Sequence, residues 1–286
     1  WLLPDGDLKK ARQLTFGGRD FDGYNGLAWT PDGRIVFTAF TDSVTDLYSM
    51  NPDGSNQVQL TADAGQDNAY PAVSLDGRHI VFTSNRAGPR QIWRMDIDGR
   101  NQKQLTFGDE EKDSAQYAAL SPDGREVYFI KRGAGSAAIW KVSIDGGTPV
   151  QVSHLTGATA EGFLSISPDG KWLTYQHVST DQNPLEEDTT RIGALPTDGP
   201  AELKLFDLPM RRPMTQWSSD SAAFDYAAGA FNSSDLWRQP VAGGEPQKFC
   251  HFTDRVFNFA WSRDRKYLVV SLGELQGDAL QITNLP

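Results

Sequence analysis

Charged side chains of opposite sign recur along the chain at matching places, and their chemistry suits the binding of a small charged group. Carboxylates come first and guanidiniums follow: Asp22, Asp67, Asp113, Glu161, Arg211, Arg212 and Arg255. Amide and aromatic side chains lie near them in sequence: Asn68, Tyr70, Tyr117, Phe163 and Asn258. Arginine can bind a carboxylate with two parallel hydrogen bonds. A site with acids facing bases above an apolar floor would therefore bind a peptide terminus or a polar small molecule. The alternative is that these charges pair with one another or meet only solvent.

Patterns for catalysis and metal binding are weak by comparison. No Gly-x-Ser-x-Gly motif marks a hydrolase nucleophile, and the four histidines lack the spacing of a zinc site: His79, His154, His177 and His251. Cys250 lies next to His251, but neighbours in a strand point to opposite sides, so we expect buried packing and no Cys–His pair. The turns at residues 51–56 and 96–101 resemble a calcium loop without its closing glutamate. We therefore expect no catalytic residue, no metal and no cofactor.

The elements that must position the charged residues come from an internal repeat. In each copy an apolar residue is followed by Ser or Thr, a variable residue and Asp, and in four copies Gly comes next. The aspartates of this phrase are Asp32, Asp76, Asp123, Asp169, Asp220 and Asp264, spaced between 44 and 51 residues apart. A β-rich apolar run, an aliphatic–aromatic pair, a second turn and a short closing segment follow in most copies. Each unit therefore predicts four short strands joined by hairpin turns.

Six four-stranded units of this length predict a six-bladed β-propeller, an all-β fold in a single domain over residues 1–286. The apolar residues that open the phrase should form one ring of the core: Trp29, Val73, Leu120, Ile166, Trp217 and Trp261. Loops between blades, and between the second and third strands of a blade, should meet at one mouth of the central channel. The charged, amide and aromatic residues named above are predicted to lie there.

Ring closure is predicted from the two ends of the chain. The last unit has expected strands near Phe259, residues 267–270 and residues 280–282, but it lacks the closing segment. Residues 10–15 match that segment and are in surplus at the other end. We expect them to add the outer strand of the sixth blade and so to remove an exposed edge.

Some units depart from the pattern. Leu75 stands where Pro is usual, and the last two units lack the Gly after Asp. The fourth unit has Gly193 in place of the aromatic residue and carries a long polar insertion over residues 177–190. The insertion is either a binding loop or a simple overhang.

Composition excludes several classes of function. The net charge of −10 opposes nucleic-acid binding, which needs a clustered positive surface, and also opposes docking on anionic lipid. The longest apolar runs are about five residues, far short of the roughly 20 that span a bilayer. A single cysteine rules out an intrachain disulfide.

The repeat resembles that of the TolB-like β-propeller family, most closely over residues 70–106. The matching residues there are Pro71, Asp76, Gly77, Ile80, Phe82, Ser84, Arg86, Ile92, Trp93, Met95, Asp98 and Gly99. The resemblance covers essentially the whole chain and implies the propeller fold, but one fold serves many functions. The family includes periplasmic partners of peptidoglycan-associated lipoproteins, propeller halves of prolyl-oligopeptidase-like enzymes and C-terminal propellers of bacterial membrane regulators. Residues 249–285 are similar to the last blade of the regulator group.

The resemblance implies a non-enzymatic sensing or docking propeller, outside the cytoplasm, in a membrane regulator such as a receptor-like serine/threonine kinase. The chain begins at Trp1 without an initiator Met, so we expect a processed product or an excised domain. The resemblance to membrane regulators implies a preceding kinase or winged-helix domain and a transmembrane tether. Two alternatives stay open: a free periplasmic TolB-type protein-interaction propeller, and a propeller lyase or glycoside-active enzyme. The expected partner is a small molecule, peptide or protein at the channel mouth. Neither nucleic acid nor direct membrane insertion is expected.

Overall fold

The computed structural model of the chain describes residues 1–15, 26–41, 44–62, 67–108, 113–133, 136–180, 190–198, 202–207, 214–229 and 233–273. These residues form six antiparallel sheets, one for each predicted repeat. Five sheets have four described strands in sequential order, and the sixth has three. The chain is therefore an all-β, six-bladed propeller, as the repeat predicted.

In blades 1 to 5 the strands run from the channel outward in chain order. Blade 1 contains β2 (Leu27–Trp29), β3 (Ile35–Thr41), β4 (Val44–Met50) and β5 (Val58–Gln59). Blade 2 contains β6 (Asn68–Val73), β7 (His79–Ser84), β8 (Gln91–Asp96) and β9 (Lys103–Gln104). Blade 3 contains β10 (Ala115–Leu120), β11 (Glu126–Gly133), β12 (Ser136–Ser143) and β13 (Val150–Gln151).

The second half of the ring repeats this plan with longer outer strands. Blade 4 contains β14 (Ala158–Ile166), β15 (Trp172–Ser179), β16 (Thr190–Pro196) and β17 (Lys204–Asp207). Blade 5 contains β18 (Thr215–Trp217), β19 (Ala223–Ala228), β20 (Ser234–Pro240) and β21 (Gln247–Phe252). Blade 6 contains β22 (Arg255–Trp261), β23 (Tyr267–Gly273) and the N-terminal strand β1 (Leu2–Pro4). A short 3-10 helix, Leu8–Lys10, follows β1.

The N-terminal segment closes the ring, and it does so in two steps. Strand β1 pairs with β23 in antiparallel register, with Leu2 opposite Val269 and Leu3 opposite Leu268. Arg12 then pairs with Leu2 through two backbone hydrogen bonds of 2.9 and 3.0 Å, in the outer place predicted for residues 10–15. The third place in the blade therefore belongs to β1, which the repeat did not predict. The strand expected at residues 280–282 lies outside the described residues.

Apolar side chains fill every interface between neighbouring blades. Six buried clusters join blades 1 and 2, 2 and 3, 3 and 4, 4 and 5, 5 and 6, and finally 6 and 1. The last of these brings Leu2, Ala260 and Val269 against Ile35 and Phe37, so the ring is continuous. The six apolar residues that open the repeat phrase each belong to a different cluster, which agrees with the predicted core ring.

The repeat phrase forms the turn between the first and second strands of every blade. In all six turns the Ser or Thr hydroxyl donates to the Asp carboxylate, as Ser121 does to Asp123 at 2.6 Å. The next position adopts a left-handed conformation, which suits Gly; Ser221 and Arg265 adopt it with a φ of 59° in blades 5 and 6. We call this end of the propeller the turn end, and the opposite end, with the loops between second and third strands, the mouth end.

Blade 4 compensates for its missing aromatic residue. A Cβ on Gly193 would lie 2.5 Å from the ring of Tyr175, which is fully buried and occupies the space of a side chain there. The Tyr175 hydroxyl is 3.0 Å from Nδ1 of His177. Most of the polar insertion, residues 181–189, lies outside the described residues.

Candidate functional site

Three aromatic rings from three blades meet at the channel. Tyr70 lies on β6, Tyr117 on β10 and Phe163 on β14, each the first strand of its blade. The ring centroids are 4.6 Å apart for Tyr70 and Tyr117, 5.2 Å for Tyr117 and Phe163, and 5.4 Å for Tyr70 and Phe163. All three side chains are half-buried. The structure thus brings together the aromatic residues that the sequence placed at the mouth, and we call them the aromatic cluster.

The backbone is bent at each ring of the aromatic cluster. The pairing register shifts between Ala69 and Ala72 on β6, between Gln116 and Ala119 on β10, and between Glu161 and Ser165 on β14. Tyr70 and Tyr117 have φ values of 56° and 58°, a conformation that costs free energy in residues with a Cβ. These bulges re-aim the side chains, a role that bulges often have beside functional sites.

Blade 1 leaves room for the aromatic cluster because it has no side chain at the matching place. A Cβ on Gly26 would lie 2.7 Å from Cδ of Pro71 and 3.2 Å from Cα of Tyr70. The backbone of blade 1 therefore packs directly against the residue that carries the first ring. Burial raises the pKa of Tyr70, and the neighbouring Tyr117 adds to this, so the hydroxyl stays neutral. The floor of the mouth is apolar with uncharged hydroxyl groups.

The carboxylates of blades 2 to 4 all have basic partners. Asp67 forms an ion pair with Arg90, Asp113 lies 3.0 Å from Nζ of Lys131, and Glu161 accepts from Nη1 of Arg132 at 2.9 Å. The sequence analysis expected these acids to face the arginines of blades 5 and 6; in the described residues each acid pairs with a base of its own blade or of the preceding blade. The basic partners come from the end of β11 and from the loop between β7 and β8.

Arg90, Lys131 and Arg132 are functional candidates that the sequence analysis missed. They lie at the end of a second strand or in the loop that follows one, at the mouth end. Arg90 also donates to Oε1 of Gln116 at 3.2 Å, which ties blade 2 to blade 3 beside Tyr117. The Arg132–Glu161 pair joins blade 3 to blade 4 in the same way. The repeat phrase does not extend to these positions, so the sequence pattern gave no signal for them.

Two predicted amides turn out to lie inside the protein. Asn68 is fully buried; it donates to Asp46 at 3.0 Å and accepts from Arg86 at 2.8 Å, so it holds blades 1 and 2 together. Asn258 is 1% exposed, and its amide has no hydrogen-bond partner in the described part of the chain. The bulge of β22 falls at Phe257, so Phe257 and not Asn258 is half-exposed.

The bases predicted on blades 5 and 6 are described only in part. The guanidinium of Arg255 lies 5.5 Å from the ring centroid of Phe257 at the mouth end of β22. Asp22, Arg211 and Arg212 lie outside the described residues. The described mouth therefore consists of the aromatic cluster, three ion pairs and the Arg255–Phe257 contact.

The adjacent Cys250 and His251 differ in their surroundings. Burial raises the pKa of the Cys250 thiol, while His251 on the next residue is exposed and lies 2.6 Å from Asp235. Within the described ranges, no three His, Cys, Asp or Glu side chains form a group suited to a metal ion. No helix in that part of the chain is long and apolar enough to cross a membrane.

Comparison with known sequences finds a matching family and a bacterial relative of part of the chain. The profile of a family described as TolB beta propeller domain matches residues 18–194. The uncharacterized protein Atu1656 of Agrobacterium fabrum (strain C58) is 41% identical over 68 residues. That stretch is 23% of this chain and 23% of the relative, so less than a quarter of the relative is matched.

Solved structures with the same fold include propellers of different roles. A candidate TolB from Agrobacterium tumefaciens has a TM-score of 0.73 and 16% identity, with 96% of this chain and 97% of that chain covered. TolB from Acinetobacter baumannii has a TM-score of 0.62 and 21% identity, with 78% and 55% covered. A puromycin-hydrolyzing peptidase of Mycobacterium tuberculosis has a TM-score of 0.57 and 19% identity, with 82% and 37% covered. The chain thus spans about half of the Acinetobacter TolB and just over a third of the peptidase.

Proposed function

The chain belongs to the TolB beta propeller domain family, and from this premise we propose that it is a non-enzymatic propeller that binds a peptide segment of a partner protein at its mouth. The observation that carries the proposal is the aromatic cluster of Tyr70, Tyr117 and Phe163, half-exposed at the channel. Aromatic side chains in a concave site give large contact area at little cost in conformational entropy. Protein-binding sites use such anchors.

The bent backbone beneath the rings supports a binding role. Packing alone does not require a tyrosine with positive φ at two successive blades, because Gly adopts that conformation more easily. Strain of this kind is retained where a side chain must point in one direction. The Arg90–Gln116 and Arg132–Glu161 contacts join neighbouring blades around the cluster, so the site is formed before a partner arrives.

The non-enzymatic part of the proposal rests on how the reactive groups are used. His177 is held by Tyr175, and burial is the main cause that lowers its pKa. His251 is held by Asp235, and Cys250 packs in the cluster between blades 5 and 6. None of these contacts directs a reactive group toward the aromatic cluster.

The cellular setting of the proposal has two forms. In the first, the propeller is the extracytoplasmic sensor of a membrane regulator such as a receptor-like serine/threonine kinase. In the second, it is a free periplasmic interaction propeller, and the family membership supports both equally. The polypeptide upstream of Trp1 in the source protein separates them: a transmembrane segment preceded by a kinase domain supports the first, and a cleaved export signal supports the second.

A peptide selection tests the binding function. Random peptides displayed on phage would be selected on the immobilised propeller, and enriched peptides measured by calorimetry. We expect binding to survive Tyr117→Phe and to weaken about tenfold or more in Tyr117→Asn, since loss of an aromatic anchor costs about 1–2 kcal/mol or more. Asn tolerates positive φ, so the backbone is kept while the ring is removed. Failure to enrich any peptide, or equal binding by both variants, would contradict the proposal.

A further inference from the structure

We propose that the peptide bound at the mouth is acidic, and that Arg90 and Arg132 bind its carboxylates while its apolar residues contact the aromatic cluster. This inference rests on the proposed function. It follows from the way in which the ion pairs of blades 2 to 4 are oriented. The sequence alone suggested the opposite, since it placed carboxylates on these blades.

In both arginine pairs the arginine side chain is more exposed than the carboxylate side chain. In the Arg90–Asp67 pair the arginine side chain is 42% exposed and the aspartate 15%. In the Arg132–Glu161 pair the values are 40% and 24%. The carboxylates are therefore more deeply buried than their partners, and the arginine side chains are the members of each pair that solvent reaches more easily. The third pair differs, because Lys131 is 31% exposed against 37% for Asp113 and its ammonium lies 5.4 Å from the ring centroid of Trp140.

The two guanidiniums are held in place but keep donors to spare. Arg132 uses Nη1 and Nη2 on Glu161, and its backbone amide donates to the carbonyl of Ser114 at 2.8 Å. Arg90 uses Nη2 on Asp67 and Nη1 on Gln116. Each guanidinium has five N–H donors, so further donors remain for a second carboxylate. A fixed guanidinium loses less conformational entropy when it binds a ligand than a free one does.

The partners of both arginines lie close in sequence to the rings of the aromatic cluster. Asp67, the partner of Arg90, precedes Tyr70 by three residues, and Gln116, which also accepts from Arg90, directly precedes Tyr117. Glu161, the partner of Arg132, precedes Phe163 by two residues on β14. The positive charge of Arg90 partly offsets the burial that raises the pKa of Tyr70. Each arginine is thus held by a residue within three positions of a ring.

The overall charge of the protein limits where the attraction can act. A net charge of −10 repels an acidic peptide at long range. At physiological salt this repulsion is screened beyond about 8 Å, so direct contacts with guanidiniums decide the affinity. An acidic partner would therefore be recognised by contact and not by electrostatic steering.

The test uses the peptides selected on the propeller, each made in two forms. One form keeps its Asp and Glu residues, and the other replaces them with Asn and Gln. We expect the acidic form to bind about tenfold or more tightly, because a charge-assisted hydrogen bond is worth at least that factor. The preference should shrink in Arg132→Gln and persist in Arg125→Gln, which removes the same charge from an exposed residue at the turn end.

A charge swap keeps the ion pair and reverses its direction. Arg132→Glu combined with Glu161→Arg should lower the preference for the acidic form without loss of the folded state, which thermal melting checks. Equal binding of the two peptide forms, or equal effects of Arg132→Gln and Arg125→Gln, would overturn the acidic specificity while peptide binding at Tyr117 still stood. Binding of phosphatidylglycerol vesicles in place of peptides would overturn it in favour of lipid. If no peptide binds at all, the proposed function fails with it.

Discussion

The Asp225 carboxylate lies 2.5 Å from Nη2 of Arg265 and joins blade 5 to blade 6. Asp225 is fully buried and also accepts from Arg238 at 2.7 and 3.0 Å. The two arginines stack on aromatic rings of the same interface, Arg265 on Trp261 at 4.5 Å and Arg238 on Phe249 at 5.5 Å. One buried carboxylate therefore holds two cations and two aromatic side chains in register between the blades.

Replacing this carboxylate should strongly destabilise the propeller. Asp225→Asn leaves two arginines without their counter-ion, and breaking a buried ion pair costs about 3–5 kcal/mol. Urea unfolding at neutral pH measures the loss. The control is Asp98→Asn, because the exposed Asp98–Arg100 pair should contribute at most about 1 kcal/mol. Similar losses in both variants would show that the Asp225 contacts do not carry the interface.

Stability should fall in acid through the aspartates of the turn end. The hydroxyl of Ser121 and then the amide of Arg125 lower the pKa of Asp123 below its usual 3.8, and Asp220 is held low by Ser218 in the same way. A carboxyl group whose pKa is lower in the folded state than in the unfolded state stabilises the protein at pH values above the unfolded pKa. This stabilisation is lost as the pH falls through the folded pKa. Ser121→Ala should therefore be less stable than the wild type at pH ~7, and the gap should narrow below pH ~4.

Urea titrations at several pH values measure this gap. Ser143→Ala serves as the control, because Ser143 accepts only a backbone amide in its turn, from Asp145 at 3.2 Å. Its effect should not vary with pH. A constant gap for Ser121→Ala across the same range would mean that the hydroxyl does not act through Asp123.

Tyr175 and Gly193 should behave as a coupled pair. Gly193→Ala places a methyl group where the buried Tyr175 ring lies, and overpacking of this kind costs about 1–3 kcal/mol. In a Tyr175→Ala background the same change should cost much less, because the ring is gone. A double-mutant cycle by urea unfolding measures the coupling. Additive effects would mean that the ring does not fill the place of the missing aromatic residue.

The closure strand should contribute much of the thermal stability. Leu2 and Leu3 are almost fully buried in β1, and each is worth about 2–5 kcal/mol in a core. Deleting residues 1–15 should lower the Tm by at least about 8 °C, since 1 kcal/mol corresponds to roughly 2 °C or more in a chain of this size. Leu8→Ala, at an exposed position of the same segment, should leave the Tm nearly unchanged. An unaltered Tm after the deletion would contradict the closure.

The repeat predicted the fold and the aromatic cluster because both depend on features common to most blades. Tyr70, Tyr117 and Phe163 each lie four residues before the Ser of the repeat phrase, and the bulges of β6, β10 and β14 fall at nearly that place. In blade 6 the bulge falls one residue earlier, at Phe257, so the residue four before Ser262 is the buried Asn258. Asn68 was misplaced because its side chain points into the interface between blades 1 and 2.

Features that belong to one blade alone could not be read from the repeat. Strand β1 is only three residues long and does not resemble the closing segment of any unit. Arg90 comes from a loop, and Lys131 and Arg132 come from the end of β11, where the units share no common phrase. Arg265 stands where other turns have Gly, and its φ of 59° is unfavourable for a residue with a Cβ. Its contacts with Asp225 and with the Trp217 carbonyl offset this cost, and they form only in the assembled ring.

Photo-cross-linking tests the location of the binding site most directly. Benzoylphenylalanine would replace Phe163 in one variant and Tyr267 in another; Tyr267 is an exposed aromatic residue beside the turn end. The account predicts that a selected peptide cross-links to position 163 and not to position 267. Labelling at position 267, or none at 163 while the peptide still binds, would contradict a binding site at the mouth.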